Sequence, residues 1–238
     1  MLAELDVRVD VRHRDAGRAV LLLNGLSSRL ESWEPFRAEL DDRTTIAYDA
    51  PGVGATPVPF FPLSIASLAR VAIAALDHAG VDTADVVGYS YGGAVAQQLT
   101  IDAPDRVHSL VLAATSCGVG SVPGGLWSFA RGLLAARPDA TINQLGFLFQ
   151  AATFSNWTSI PHLGSIRHRT LVVAGRRDAI VPVANARLLA RRIPRARLVE
   201  LDAGHDLFST RYVPATASHV LSFLNAVAIT SRPSHPNG

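Results

Sequence analysis

Residues 84–93 of the chain, ADVVGYSYGG, decide the fold. The pair Val86-Val87 is short, apolar and β-branched, as in a strand buried on both faces. It runs into the pattern G-x-S-x-G at residues 88–92, which is typical of a tight strand-to-helix turn that lifts a serine hydroxyl above the end of a sheet. Small and apolar residues in the next stretch, 94–99, have the spacing of a helix packed on that sheet. We therefore predict a strand, an exposed nucleophilic Ser90 and a helix.

Working outward, the rest of the chain alternates between apolar strands and amphipathic helices. We predict strands at residues 19–23, 44–48, 107–113, 170–174 and 196–201, and helices at residues 64–79, 183–192 and 208–228. The alternation of Leu5, Val7, Val9 and Val11 with polar residues predicts a half-exposed antiparallel strand at the sheet edge. The fold class is α/β, with a mostly parallel sheet flanked by helices.

Composition narrows the function classes. A chain of 238 residues with 48% hydrophobic content fits one α/β domain with a small insertion. Its formal net charge is only +2, without a block of like charge, which argues against a nucleic-acid partner or an anionic membrane surface. All 22 basic residues are arginine, so lysine Schiff-base chemistry is excluded.

Other sequence signals are absent. The single Cys117 cannot form an internal disulfide, the N-terminus lacks a signal-peptide pattern, and no apolar run approaches the ~18 residues that span a bilayer. We expect a soluble, cytoplasmic protein. Gly52-Val53-Gly54 lacks the third glycine of a dinucleotide fingerprint, and no metal-ligand spacing occurs, so we predict neither cofactor nor metal.

Two further residues complete a catalytic pattern with Ser90. Asp178 lies in the loop after strand 170–174, and His205 lies in a glycine-flanked loop after strand 196–201. A serine hydroxyl needs a base to become a nucleophile, and an acid must orient that base. The order Ser, Asp, His, with each residue after a strand, is that of the α/β-hydrolase fold.

Two acidic residues beside His205, Asp202 and Asp206, are rival candidates for the acid. We favour Asp178 because it has a post-strand loop of its own. The oxyanion of an acyl-transfer reaction would be held by the backbone N–H groups of Tyr91, which follows the nucleophile, and Leu26, in the loop after strand 19–23. A plain glycine turn is the alternative interpretation of the loop at Leu26.

The alternation stops between residues 118 and 164. This segment is rich in aromatic residues: Trp127, Phe129, Phe147, Phe149, Phe154 and Trp157. They indicate a small helical cap, whose aromatic side chains either line an apolar substrate pocket or form the cap's own core. We predict an α/β-hydrolase core at residues 1–117 and 165–230, a cap at 118–164 and a disordered tail at 231–238.

Several stretches resemble one family. They are LLLNGL at 21–26, YDAPGVG at 48–54, GYSYGGAVAQQ at 88–98, LVLAAT at 110–115, NWTSI at 156–160 and LVVAGRRDAIVPVANARLLARRIP at 171–194. The chain is similar to the intracellular medium-chain polyhydroxyalkanoate depolymerases of the α/β-hydrolase superfamily. The resemblance implies the same roles for Ser90, Asp178 and His205. The cap segment is shorter here than in those enzymes, which changes the substrate pocket.

These observations predict a serine hydrolase that cleaves carboxylic esters through an acyl-enzyme on Ser90. Its partner would be a small-molecule or oligomeric ester with a small or medium-chain acyl group, hydroxyalkanoate esters among them. Serine, rather than aspartate, at the strand-to-helix turn argues against dehalogenases and epoxide hydrolases, whose nucleophile is a carboxylate. A cofactor-free perhydrolase of the haloperoxidase type and a non-hydrolytic ligand-binding protein of this fold stay open as alternatives.

Overall fold

The computed structural model describes residues 2–14, 16–40, 42–124 and 143–226. The strands in these ranges are β1 (Val9–Arg12), β2 (Ala16–Leu23), β3 (Arg43–Tyr48), β4 (Ala84–Tyr89), β5 (Val107–Ala113), β6 (Arg169–Gly175) and β7 (Ala196–Leu201). They form one sheet in the order β1-β3-β2-β4-β5-β6-β7. Only β1 is antiparallel to its neighbour within these strands. The predicted mostly parallel sheet with an antiparallel edge is confirmed.

Helices cover both faces of the sheet. They are α1 (Leu2–Leu5), α2 (Glu34–Glu39), α3 (Ile65–His78), α4 (Tyr91–Asp102), α5 (Gln144–Phe154), α6 (Val183–Arg192) and α7 (Val213–Asn225), with 3₁₀ turns at Leu30–Trp33, Pro104–Arg106 and Ile160–Ser165. Ser64 caps α3 by accepting a hydrogen bond from Ser67 N, which explains where that helix begins. None of the helices in the described ranges is long and apolar enough to cross a bilayer.

The buried strands present alternate residues to two separate clusters. Val86 of β4 packs with α3, α4 and α6 on one face, whereas Val87 packs with α2 and α7 on the other. Both valines are fully buried. This explains why the central strands are continuously apolar: residues on both faces of a parallel sheet covered by helices are removed from water.

Two sequence predictions differ from the structure at their boundaries by four residues or more. Leu5 was predicted to lie in the first strand, but it ends α1, and β1 begins only at Val9. Asp6 follows α1 with a positive φ of 47°, and Val7 N donates to Leu2 O at 3.1 Å, so a left-handed residue ends the helix. The last helix was predicted from Phe208, but it begins at Val213, with proline in its first turn. The predicted tail, 231–238, lies outside the described residues.

The topology brings four loops together. Strands β2, β4, β6 and β7 are parallel, so their carboxyl ends meet at one edge of the sheet. The loops that follow them carry Leu26, Ser90, Asp178 and His205, respectively. The connectivity alone therefore collects the predicted site residues at this edge, where ligands bind in open α/β sheets.

Candidate active site

Ser90 occupies a strained turn between β4 and α4. Its backbone has φ 50° and ψ −116°, a region that side-chain-bearing residues avoid at a cost of about 1–3 kcal/mol. Two contacts hold it there: Ser90 N donates to Ala113 O at 2.8 Å, and Thr115 Oγ1 donates to Ser90 O at 2.7 Å. Because the neighbouring strand maintains the strain, the hydroxyl is fixed above the end of the sheet.

The two glycines of the turn are required by close backbone approach. A Cβ on Gly92 would lie 2.1 Å from Leu23 O, and one on Gly88 would lie 2.6 Å from Gly92 O. Real Cβ atoms do not approach oxygen this closely. The start of α4 is thus packed directly on the end of β2, which brings Tyr91 beside the loop that carries Leu26.

The structure brings together the three residues predicted from their order in the chain. His205 Nδ1 lies 2.8 Å from Asp178 Oδ2, and His205 Nε2 lies 3.0 Å from Ser90 Oγ. The Asp178 side chain is fully buried, whereas 18% of the His205 side chain is exposed. The other carboxylate oxygen, Asp178 Oδ1, accepts from Ile180 N and Val181 N at 2.9 and 2.8 Å. Both carboxylate oxygens are thus hydrogen-bonded, and Oδ2 faces the imidazole.

Contacts outside this chain of hydrogen bonds position the histidine loop. A Cβ on Gly175 would lie 2.1 Å from Gly204 O, so the loops of Asp178 and His205 pack against each other. The Tyr89 hydroxyl donates to His205 O at 3.0 Å. Burial raises the pKa of Tyr89, with a smaller contribution from the Asp178 and Asp206 carboxylates, so the phenol keeps its proton and stays a donor.

The rival acids lie elsewhere. Asp202 forms a salt bridge with Arg177 at 2.6 Å, and both side chains are more than half exposed. The Asp206 residue is exposed as well. Within the described residues, the carboxylate that bonds the His205 ring is that of Asp178. The geometry agrees with the choice of Asp178 from its own post-strand loop.

The two predicted oxyanion donors are backbone N–H groups outside the strand ladder and outside the hydrogen bonds of α4. Tyr91 is the first residue of α4, so its N–H has no acceptor within the helix. Leu26 lies outside the strand ladder, in a turn closed by the bond from Ser28 N to Gly25 O at 3.1 Å. Leu26 N donates to no backbone oxygen within the described residues. Leu26 therefore does not form an ordinary ladder bond.

The predicted cap aromatics divide into two groups. Phe147, Phe149 and Phe154 are half-buried on α5, whereas Trp127 and Phe129 lie outside the described residues. The Phe154 ring packs against Tyr91 with their centroids 6.3 Å apart. Phe149 and Tyr91 both line a cavity of about 10 Å³ between α5 and the core. Helix α5 therefore lies directly over the residue that follows the nucleophile.

Sequence reasoning missed three glutamines that connect the segment after β5 to the core. Trp157 Nε1 donates to Gln98 Oε1 at 2.7 Å, and Ser159 Oγ donates to Gln97 Oε1 at 2.6 Å. Gln150, on α5, accepts from Ser27 N at 2.9 Å. The stretches GYSYGGAVAQQ and NWTSI were noted only as parts of a resemblance. The structure shows that they touch through their polar side chains.

A second, larger cavity of about 170 Å³ lies beside the histidine loop, lined by residues that include Asn24, Trp33, Tyr89 and Ser209.

In the described ranges, no three His, Cys, Asp or Glu side chains are grouped so as to hold a metal ion.

Comparison with known proteins agrees with the fold. The sequence profile of the alpha/beta hydrolase fold matches residues 18–156, which is more than half of the chain. The chain belongs to the α/β-hydrolase family. A second profile, described as TAP-like protein, matches residues 155–232. This α/β-hydrolase is 35% identical over 237 residues to a poly(3-hydroxyalkanoate) depolymerase of Ectopseudomonas oleovorans, covering 86% of this chain and 83% of that protein. The expected resemblance to these depolymerases is confirmed.

Other α/β-hydrolases are similar over most of the chain. A putative carbamate hydrolase of Azorhizobium caulinodans is 31% identical over 239 residues, covering 82% of this chain and 86% of the relative. Among solved structures, a hydrolase from Pseudomonas aeruginosa PA01 superposes with a TM-score of 0.80 at 27% identity, covering 92% of this chain and 94% of that one. These relatives show that the protein is a hydrolase. The activities in their names, depolymerase and carbamate hydrolase, differ, so they do not identify the substrate.

Proposed function

We propose that this α/β-hydrolase cleaves carboxylic esters through an acyl-enzyme on Ser90, with His205 as general base and Asp178 as the residue that orients it. The observation that carries the proposal is the continuous path of 2.8 and 3.0 Å contacts from Asp178 Oδ2 through the His205 ring to Ser90 Oγ. A protonated Nδ1 donates to the carboxylate, which leaves the Nε2 lone pair facing the serine hydroxyl.

The reaction would proceed in two halves. His205 takes the Ser90 proton as Oγ attacks the ester carbonyl, then returns a proton to the leaving alcohol as the carbonyl–oxygen bond breaks. Water, activated by the same imidazole, then cleaves the acyl-enzyme and releases the acid. In both halves, the N–H groups of Leu26 and Tyr91 would stabilise the oxyanion, each being worth ~3 kcal/mol of barrier.

Esters of small and medium-chain acids are the substrate class we propose, with hydroxyalkanoate esters among them. The depolymerase relative of Ectopseudomonas oleovorans supports the choice of a hydroxyalkanoate acid. The apolar rings of Phe149 and Phe154, which lie on α5 beside Tyr91, support an apolar acyl site next to that helix. The shortened cap favours small and oligomeric esters over a long polymer.

The test is turnover of 4-nitrophenyl butanoate with and without a serine-directed phosphonate. The proposal predicts that the protein hydrolyses this ester, and that the fraction of activity lost equals the fraction of sites that the phosphonate labels. Turnover that survives complete labelling would refute the role of Ser90. Ester binding without turnover would instead identify a non-hydrolytic member of the fold, and halogenation or peracid formation without hydrolysis would identify the perhydrolase alternative.

A further inference from the structure

We propose that Gln150 of α5 is a positioning residue for the oxyanion hole, so that the segment over the active site helps to set the direction of the Leu26 N–H. The inference rests on the proposed function. Its basis is a single hydrogen bond that joins positions 123 residues apart: Ser27 N donates to Gln150 Oε1 at 2.9 Å. Gln150 is 4% exposed, so water competes little for this bond.

The bond acts on a turn whose geometry fixes the Leu26 amide. Ser28 N donates to Gly25 O at 3.1 Å, and Gly25 C=O shares its peptide plane with Leu26 N–H. In a planar trans peptide, C=O and N–H point in opposite directions, so an oxygen held inside the turn directs the Leu26 hydrogen away from it. The turn conformation thus determines where this donor points.

The turn itself is strained. Ser27 has a positive φ of 54°, which disfavours a residue with a Cβ, and no glycine relieves the strain at that position. The next peptide along, which contains Ser27 N–H, is the one that Gln150 holds. Loss of this acceptor would leave the Ser27 amide without its partner and would let the turn relax, rotating the adjoining Leu26 peptide.

Helix α5 is anchored firmly enough to act as a fixed support. A Cβ on Gly146, one turn before Gln150, would lie 2.2 Å from Gly52 O, so helix and loop are in direct backbone contact. Just after Gln150, Thr153 Oγ1 donates to Leu63 O at 2.6 Å. The cavity beside Gln150 is only about 10 Å³, room for about one water, which leaves its side chain little freedom.

The experiment is a double-mutant cycle between Gln150→Met, which removes the acceptor at similar volume, and Leu26→Pro, which removes the donor. Proline is favoured at the second position of a turn whose third residue has positive φ, so Leu26→Pro keeps the backbone conformation. Gln150→Asn, which keeps the amide but shortens its reach, is a second variant should Gln150→Met fold poorly. Rates are counted per site titrated with the phosphonate.

Gln98→Met is the matched control, because it makes the same substitution and breaks the bond from Trp157 Nε1, away from the oxyanion loop. We expect Gln150→Met and Gln150→Asn to lower kcat on 4-nitrophenyl acetate by about 10- to 100-fold, with KM changed less than about twofold, whereas Gln98→Met retains kcat. The double variant should be no slower than Leu26→Pro alone, because both changes remove the same interaction.

Two results would overturn the positioning role. One is a double variant whose loss of kcat equals the product of the two single losses. The other is a kcat for Gln150→Met equal to that of Gln98→Met. Ser90→Ala, measured in parallel, tests the proposed function alone. An inactive Ser90→Ala with an unimpaired Gln150→Met refutes the positioning role and leaves the proposed function standing. A wild-type protein without turnover would overturn both.

Discussion

Substitution of Gly92 by alanine tests how closely the nucleophile turn and the oxyanion loop are joined. The new methyl carbon would lie 2.1 Å from Leu23 O and 2.5 Å from Asn24 O. Non-bonded heavy atoms prefer ~3.5 Å, so the overlap exceeds about 1 Å. Both contacts are to backbone, and no side-chain rotation relieves them. The end of β2 and the start of α4 must therefore separate.

The magnitude follows from two opposing terms. Forcing a methyl group into close-packed structure costs about 3 kcal/mol, and replacing glycine within a helix returns about 1 kcal/mol, so the free energy of unfolding should fall by about 2 kcal/mol. A displacement of about 1 Å between Ser90 and the Leu26 loop should lower kcat by about 100-fold. Urea unfolding followed by circular dichroism and kcat on 4-nitrophenyl acetate measure the two effects.

Gly164 supplies the matched control. A Cβ there would meet no heavy atom within 4 Å, so Gly164→Ala should change the free energy of unfolding by less than about 0.5 kcal/mol and leave kcat unchanged. If Gly92→Ala behaved like Gly164→Ala in both assays, the turn would not be held against β2, and the reasoning from close approach would be refuted.

Three other predictions concern the acid, the buried tyrosines and the cap. Asp178→Asn should lower kcat by about 10⁴-fold, whereas Asp202→Asn should retain it; a dead Asp202→Asn would contradict the assignment. Burial raises the pKa of Tyr48, Tyr89 and Tyr91 above their ordinary 10.0, so their protons bind more tightly in the folded state, and the free energy of unfolding should fall as pH rises above about 10. Tyr48→Phe should reduce that slope by about 1.4 kcal/mol per pH unit in urea titrations, and an unchanged slope would count against this cause. On 4-nitrophenyl esters, kcat/KM should rise about threefold per added CH₂ from acetate to a medium-length optimum, and Phe149→Ala should flatten the rise without abolishing acetate hydrolysis; a profile unaffected by the change would show that Phe149 does not line the acyl site.

The residues predicted for the site were accessible from sequence because each is tied to a local signal. Ser90, Asp178 and His205 each follow an apolar strand, and a parallel sheet must bring the ends of such strands to one edge. Strand β5, helix α6 and strand β7 have the bounds that their apolar patterns predicted. Local hydrophobic periodicity was sufficient for these elements.

What escaped prediction depends on contacts between distant residues or on single dihedral angles. Nothing in the sequence around Gln150 indicates that its amide meets Ser27, 123 residues away, because that contact depends on how α5 packs on the core. The positive φ of Asp6, which follows helix α1 where an extended strand was expected, likewise leaves no periodic signal. The alternation of apolar residues reports the average burial of a segment, so it does not reveal a single long-range contact or a single dihedral angle.

The acyl-enzyme on Ser90 is the central claim, and rapid-quench mass spectrometry of the protein during turnover of 4-nitrophenyl acetate tests it most directly. The account predicts a burst of 4-nitrophenol and a mass increase of one acetyl group, which peptide mapping places on Ser90, with neither in Ser90→Ala. Steady turnover by Ser90→Ala, or an acetyl group carried by a different residue, would contradict it.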